Sequence, residues 1–220
     1  MNTPVNRLGL WSAIAITVLV ILIDVGMIVS ALLYPMTSIN NIEAYANLFT
    51  STQMLPFIPS LMLAPVFVIM IACINHWASQ EKKILSQIAF SFAVICGAIL
   101  GIHYYIQLTF VQQNILSNQL TGLWQFVAPN PHSFFWTFAA LGYGFMGLSV
   151  LFVAPIFSEK SDRAIKWLLL ANGIIGIVFL IGNALGVFAV NILASLIWGI
   201  LFPIASVFIA KKYKAQSIKN

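Results

Sequence analysis

The sequence predicts an all-α fold. It reads as a polytopic membrane helical bundle of six transmembrane helices, one domain over residues 1–220, with both termini cytoplasmic and short interfacial helices in the outer loops. Three observations predict it. First, 61% of residues are hydrophobic and only 7% are charged, whereas soluble domains carry about 25% charge. A soluble fold of this size cannot hide that much apolar surface, so its solvent is largely lipid. Second, the apolar residues fall into six runs, each of about 20 residues or more, enough to cross a hydrocarbon core of about 30 Å. Third, all ten basic residues fall between alternate runs: at Arg7, at Lys82-Lys83, from Lys160 to Lys166, and from Lys211 onward. Loops 34–53, 112–133 and 182–187 carry no Lys or Arg. Cytoplasmic loops collect these residues, which puts both termini inside and the chain in the inner (plasma) membrane. Trp11, Trp77, Trp167 and Tyr213 mark the inner boundary, and Tyr34, Trp124 and Trp136 the outer one.

The net charge of +5 does not point to nucleic acid. The basic residues form short clusters between apolar runs, with no stripe interleaved with aromatics. Cys73 and Cys96 lie inside apolar runs and read as buried thiols. No CxxC pair, Walker loop, dinucleotide fingerprint, HExxH or nucleophile elbow occurs, so no cofactor and no metal is expected.

The first span, 10–33, could instead be a secretory signal, with Arg7 as its n-region and Val29-Ser30-Ala31 as its cleavage site. Its apolar stretch is longer than a signal h-region of about 7–15 residues and contains Asp24. Asp24 is the sole carboxylate within a span. It reads as a hydrogen-bond partner between helices, as a proton or ligand site, or as a group simply exposed through a tilted or shortened helix. In the first outer loop, Asn40-Asn41-Ile42-Glu43 resembles a capping box. Ile42, Tyr45 and Phe49 share one face, so a short helix on the outer surface is expected. Pro56 and Pro59 open the second span, 54–76, and Pro65 falls within it.

The third span, 85–111, holds the most polar intramembrane stretch of the chain, at 101–114. His103 and Gln107 lie one turn apart, with Tyr104 and Tyr105 beside them. Gly97 and Gly101 form a small-xxx-small face that roughly opposes His103. At 1.5 Å per residue, Asp24 lies about 20 Å and His103 roughly 25 Å from the inner end. The two could therefore meet. The second outer loop, 112–133, shows helical spacing through Ile115, Leu116, Leu120, Leu123, Trp124 and Val127. It reads as an interfacial helix or as a continuation of the third span, ended by Pro129 and Pro131. The two outer loops together could form a lid.

The fourth span, 134–157, follows Asn130-Pro131-His132-Ser133. Four motifs stand in order here: His103-Tyr104-Tyr105-Ile106-Gln107-Leu108-Thr109, the Asn-Pro-His-Ser run, Leu141-Gly142-Tyr143 and Ala154-Pro155-Ile156-Phe157. Over about residues 100–175 the chain resembles a family of uncharacterised multi-pass bacterial membrane proteins of similar length. The resemblance implies a bacterial or archaeal six-helix membrane protein and supplies no functional residues. The fifth span, 166–186, and the sixth, 188–210, are split by Gly182-Asn183-Ala184-Leu185-Gly186. Asn183 and Asn191 flank that turn as expected caps. Trp198 sits away from either boundary and needs an N–H partner or a polar cavity.

Three functions remain. One is binding or transport of a small molecule in an outer-half pocket lined by Asp24, His103, Tyr104, Gln107 and Trp198, with Asp24 and His103 as a proton-linked pair. The second is an intramembrane enzyme for a lipid-like substrate, using the same two groups as acid and base. The third is an accessory protein or homo-oligomer working through the faces Gly97/Gly101, Gly142/Gly144/Gly147 and Gly182/Gly186. Membrane lipids are partners in every case.

Overall fold

The computed structural model describes residues 4–33 and 39–219, which hold no strand. In chain order the helices are α1 (Pro4–Leu33), α2 (Ile42–Leu48), α3 (Phe57–Trp77), α4 (Lys83–Ile106), α5 (Gln112–Leu116), α6 (Phe134–Val153), α7 (Arg163–Ala184) and α8 (Phe188–Lys219). Among the described residues, six helical stretches are long and apolar enough to cross a membrane. They are built on α1, α3, α4, α6, α7 and α8, as the six apolar runs predict. The break between the last two falls at the glycine-rich turn, between Ala184 and Phe188. Asn183 and Ile181 carbonyls accept the closing hydrogen bonds of α7, and Gly186 turns the chain with φ +69°, a conformation that glycine adopts without a Cβ penalty.

Chain neighbours pack as spatial neighbours, and α8 returns to α1. The spans therefore close into an antiparallel ring in the order α1, α3, α4, α6, α7, α8. In lipid there is no hydrophobic drive between helices, so small residues and interhelical hydrogen bonds fasten the seams. Between α6 and α7 the backbones touch: a Cβ on Gly176 would lie 2.7 Å from Tyr143 O and 2.9 Å from Gly147 Cα. Between α4 and α6, Ser149 Oγ donates to Ala89 O at 2.8 Å. Between α3 and α4, Ser86 Oγ donates to Asn75 Oδ1 at 2.7 Å. At the inner end of the α1/α8 seam, Gly9 admits the ring of Tyr213. Glycines 97, 142, 144, 147 and 182 all meet neighbours within the chain, whereas Gly101 has nothing within 4 Å of its Cβ position.

Aromatic rings fill the middle of the ring of helices. Phe67 of α3 reaches Phe202 of α8 with centroids 6.0 Å apart, and Trp198 stacks on Phe202 at 5.1 Å. At the inner boundary Lys212 bridges Glu159 at 2.6 Å and the buried Asp162 at 2.9 Å, tying α8 to the turn before α7.

The outer loops form a second, smaller core. Ile42 and Tyr45 of α2 pack with Ile39, Val111, Ile115, Leu123 and Val127, and burial pushes the Tyr45 hydroxyl pKa up. The expected capping box does not form, because the residue three after the observed cap is Ala44, which has no side chain to reciprocate. Asn41, not Asn40, is the N-cap, and its Oδ1 accepts Ala44 N–H at 2.7 Å. Asn and Asp side chains favour whichever position has extended backbone, and Asn41 has φ −152° and ψ 173°. The second loop continues the third span. A π-helical turn, Gln107–Val111, joins α4 to α5, and a short 3-10 turn follows at Leu123–Phe126. Pro129 and Pro131 end no helix; they precede α6. Tyr34, the expected outer anchor, lies outside the described residues.

Candidate functional site

Asp24 points from α1 into the α1/α8 seam. A Cβ on Gly199 would lie 2.6 Å from its Oδ1 and 2.9 Å from its Oδ2. The carboxylate thus occupies the space that a side chain at 199 would take. It is half-buried, and no described residue donates a hydrogen bond to it. Trp198, the residue beside this socket, is 9% exposed, and its ring meets Tyr143 of α6 at 4.9 Å. Asp24 lies within Coulombic reach of the Tyr143 hydroxyl.

The Tyr143 hydroxyl is hydrogen-bonded to that of Tyr104 at 2.9 Å, and the Ser60 hydroxyl of α3 lies beside Tyr104. Phe57 stacks against the Tyr104 ring at 5.9 Å. A buried polar row therefore crosses the bundle from α3 through α4 to α6 and faces the Asp24 socket from there. Buried hydroxyls are costly unless paired, so this pairing lets two tyrosines sit inside the bundle.

His103 and Tyr104 are adjacent in sequence and their rings lie 4.6 Å apart, but their polar atoms differ: the Tyr104 hydroxyl is paired and the imidazole is not. His103 is 1% exposed. Its ring lies 4.8 Å from Phe135 of α6, and its Nε2 has no hydrogen-bond partner. Gln107 is a tether: its Nε2 donates to Phe126 O at 2.9 Å, fastening the second outer loop to the π-helical turn. The structure thus brings Asp24, Trp198, Tyr143 and Tyr104 into one neighbourhood. It does not pair Asp24 with His103. No ion pair or hydrogen bond joins them among the described residues, and α3 stands between α1 and α4 in the ring. The distance of each residue along its own helix was legible in the sequence, but the helical phases that turn one toward α8 and the other toward α6 were not.

A second feature lies at the outer end, between the start of α6 and the α7–α8 turn. Pro131, His132, Thr137, Asn183, Gly186, Phe188 and Asn191 line a cleft of about 170 Å³. Its lining includes no Asp, Glu, Lys or Arg. Asn130 shapes its rim: its Nδ2 donates to Trp124 O, and its Oδ1 accepts His132 N–H at 3.0 Å. Asn191 is 2% exposed, and its Oδ1 has no partner. Gly182 makes room for it, since a Cβ there would lie 3.1 Å from that oxygen. The amides of Asn183 and Asn191 were expected to cap the turn. They do not; the turn is closed by backbone bonds and Gly186 instead. The signal that could have found this cleft was the Asn-Pro-His run set beside two amides at the same membrane depth.

No known protein family, curated protein or solved structure matches the chain.

Proposed function

We propose that this integral membrane protein binds a small, neutral, polar molecule reaching it from the outer side of the plasma (inner) membrane. The observation that carries this reading is Asn191 Oδ1, buried and unpartnered in the outer cleft. A buried acceptor without a donor costs about 1–3 kcal/mol, and a ligand hydroxyl or amide N–H recovers it. The N-terminus of α8 at Phe188 adds a partial positive charge that suits an acceptor on the same ligand. At about 170 Å³ the cleft falls below the roughly 300–1,000 Å³ of drug-sized sites, so the ligand is a small solute. Trp198 and Asp24 lie deeper, with Trp198 about 10 Å further along α8 at 1.5 Å per residue. They are the groups that a solute admitted beyond the cleft would meet. His103, Tyr104 and Gln107 then shape the walls and loop around it.

Binding is favoured over transport because the Phe67–Phe202 and Tyr143–Trp198 contacts fill the bundle below the cleft. The enzyme reading requires Asp24 and His103 at one reacting centre, and they face different helices. The accessory reading relies on glycine faces, and all but Gly101 and Gly186 are covered within the chain.

The test uses the purified full chain in nanodiscs, with acetamide, glycerol and glucose as probes. Trp136 contacts the cleft residue Phe188 at 4.9 Å and serves as the fluorescent reporter. At least one probe should give a saturable fluorescence change and a raised Tm, both absent in Asn191→Leu, which should itself unfold no lower than the wild type. No response to any of these probes, or the same response in Asn191→Leu, refutes the proposal.

A further inference from the structure

The lipid-facing side of the α1/α8 seam carries a groove at its inner end. Leu10, Ile14, Thr17 and Val18 of α1 form one wall, and Val207, Ala210, Lys211 and Lys214 of α8 form the other, around about 240 Å³. Both sets follow helical spacing, so each wall is one face of its helix. Thr17 does not make the slot polar, because its Oγ1 donates back to Ala13 O at 3.0 Å. The contact of Gly9 with the Tyr213 ring fixes the register. Leu10 and Lys214 are at the inner mouth, and Val18 and Val207 at the deep end. The eight steps from Leu10 to Val18 give a slot about 12 Å long at 1.5 Å per residue.

We propose that this groove is a binding site for an anionic phospholipid of the inner leaflet, one acyl chain lying in the slot and the headgroup phosphate held by Lys211 and Lys214. Charge complementarity selects this occupant. Neighbouring lysines behave differently: Lys212 turns away to Glu159 and Asp162, whereas Lys211 and Lys214 are exposed at the groove. Neither of them has an ion pair among the described residues, and the Lys211 ammonium rests 5.4 Å over the Phe208 ring. Arg7, three residues before Leu10 on the same stripe of α1, adds a third positive charge below the mouth. Lysines near an anionic leaflet contribute on the order of fivefold each in lipid affinity, and a slot that holds the chain converts this diffuse attraction into a stoichiometric site.

The experiment places the full chain in nanodiscs of equal phosphatidylglycerol and phosphatidylcholine, ejects it for native mass spectrometry and counts retained lipid. The wild type should keep one phosphatidylglycerol in preference to phosphatidylcholine. Lys211→Gln/Lys214→Gln should reduce that preference by tenfold or more. Ala210→Trp, which fills the slot, should lose the retained lipid while all lysines remain. Lys82→Gln/Lys83→Gln, at the same surface but away from the groove, should behave as wild type. An equal loss in both lysine pairs would mean diffuse attraction and overturn the site. So would equal retention of the two lipids by the wild type, a lipid retained in Ala210→Trp, or a dimer without bound lipid, which would make the groove an interface between copies.

Discussion

A carboxylate within a span persists in this chain because Gly199 leaves a socket for it. Charged groups inside a bilayer cost several kcal/mol unless they face the bundle interior, and the Asp24 oxygens lie against a backbone with no side chain of its own. Gly199→Ala forces the carboxylate to move, so it should destabilise the protein by about 1–3 kcal/mol. Asp24→Ala should relieve most of that loss. Thermal unfolding of the two single variants and the double variant in detergent measures the coupling, expected at about 0.5–3 kcal/mol. Additive losses would show that the two residues do not press on each other.

At the scale of elements, the bundle is held by close backbone approach at some glycines and is indifferent at others. The α6/α7 seam permits no Cβ at residue 176, because the nearest atoms are backbone. Gly176→Val should therefore abolish or severely reduce folded yield, by more than the about 1–3 kcal/mol typical of overpacking, since backbone cannot step aside. Gly101→Ala should do the opposite. Its Cβ position is empty, and alanine gains up to about 1 kcal/mol of helix propensity over glycine. Folded yield and Tm of both variants check the contrast. The outer loop depends on a single side chain in a similar way. Gln107→Leu removes the bond to Phe126 O, so amides of 117–126 should exchange faster with deuterium while those of α4 hold. Unchanged exchange would show that the smaller apolar core anchors the loop unaided.

At the scale of the molecule, the closed ring places Pro4 and Lys219 at the same, basic end, and the charge asymmetry predicts that this end is cytoplasmic. Single cysteines introduced at Glu43 and Gln119, in a Cys73→Ala/Cys96→Ala background, should react with a membrane-impermeant maleimide from outside intact cells. Cysteines at Gln80 and Lys160 should react only after lysis. Native Cys73 and Cys96 are 3% and 0% exposed, so the wild type should remain unlabelled on both sides. Labelling at 43 without lysis but not at 119, or the reverse order of sides, would contradict the topology.

The sequence by itself determined the solvent, the number of spans and the turn at Gly186. Hydrophobic length and the placing of charge are properties of the chain read one residue at a time, and a bilayer sorts them without reference to packing. Tertiary structure alone decided which way each polar side chain faces. Asp24 turned to Gly199, His103 to Phe135 and Tyr104 to Tyr143, and Asn191 opened onto a cleft rather than capping a turn. Those directions follow from the rotation of each helix about its axis, which the contacts between neighbouring helices set, at seams such as Gly147 on Gly176 and Gly9 on Tyr213, and which no spacing within one helix records.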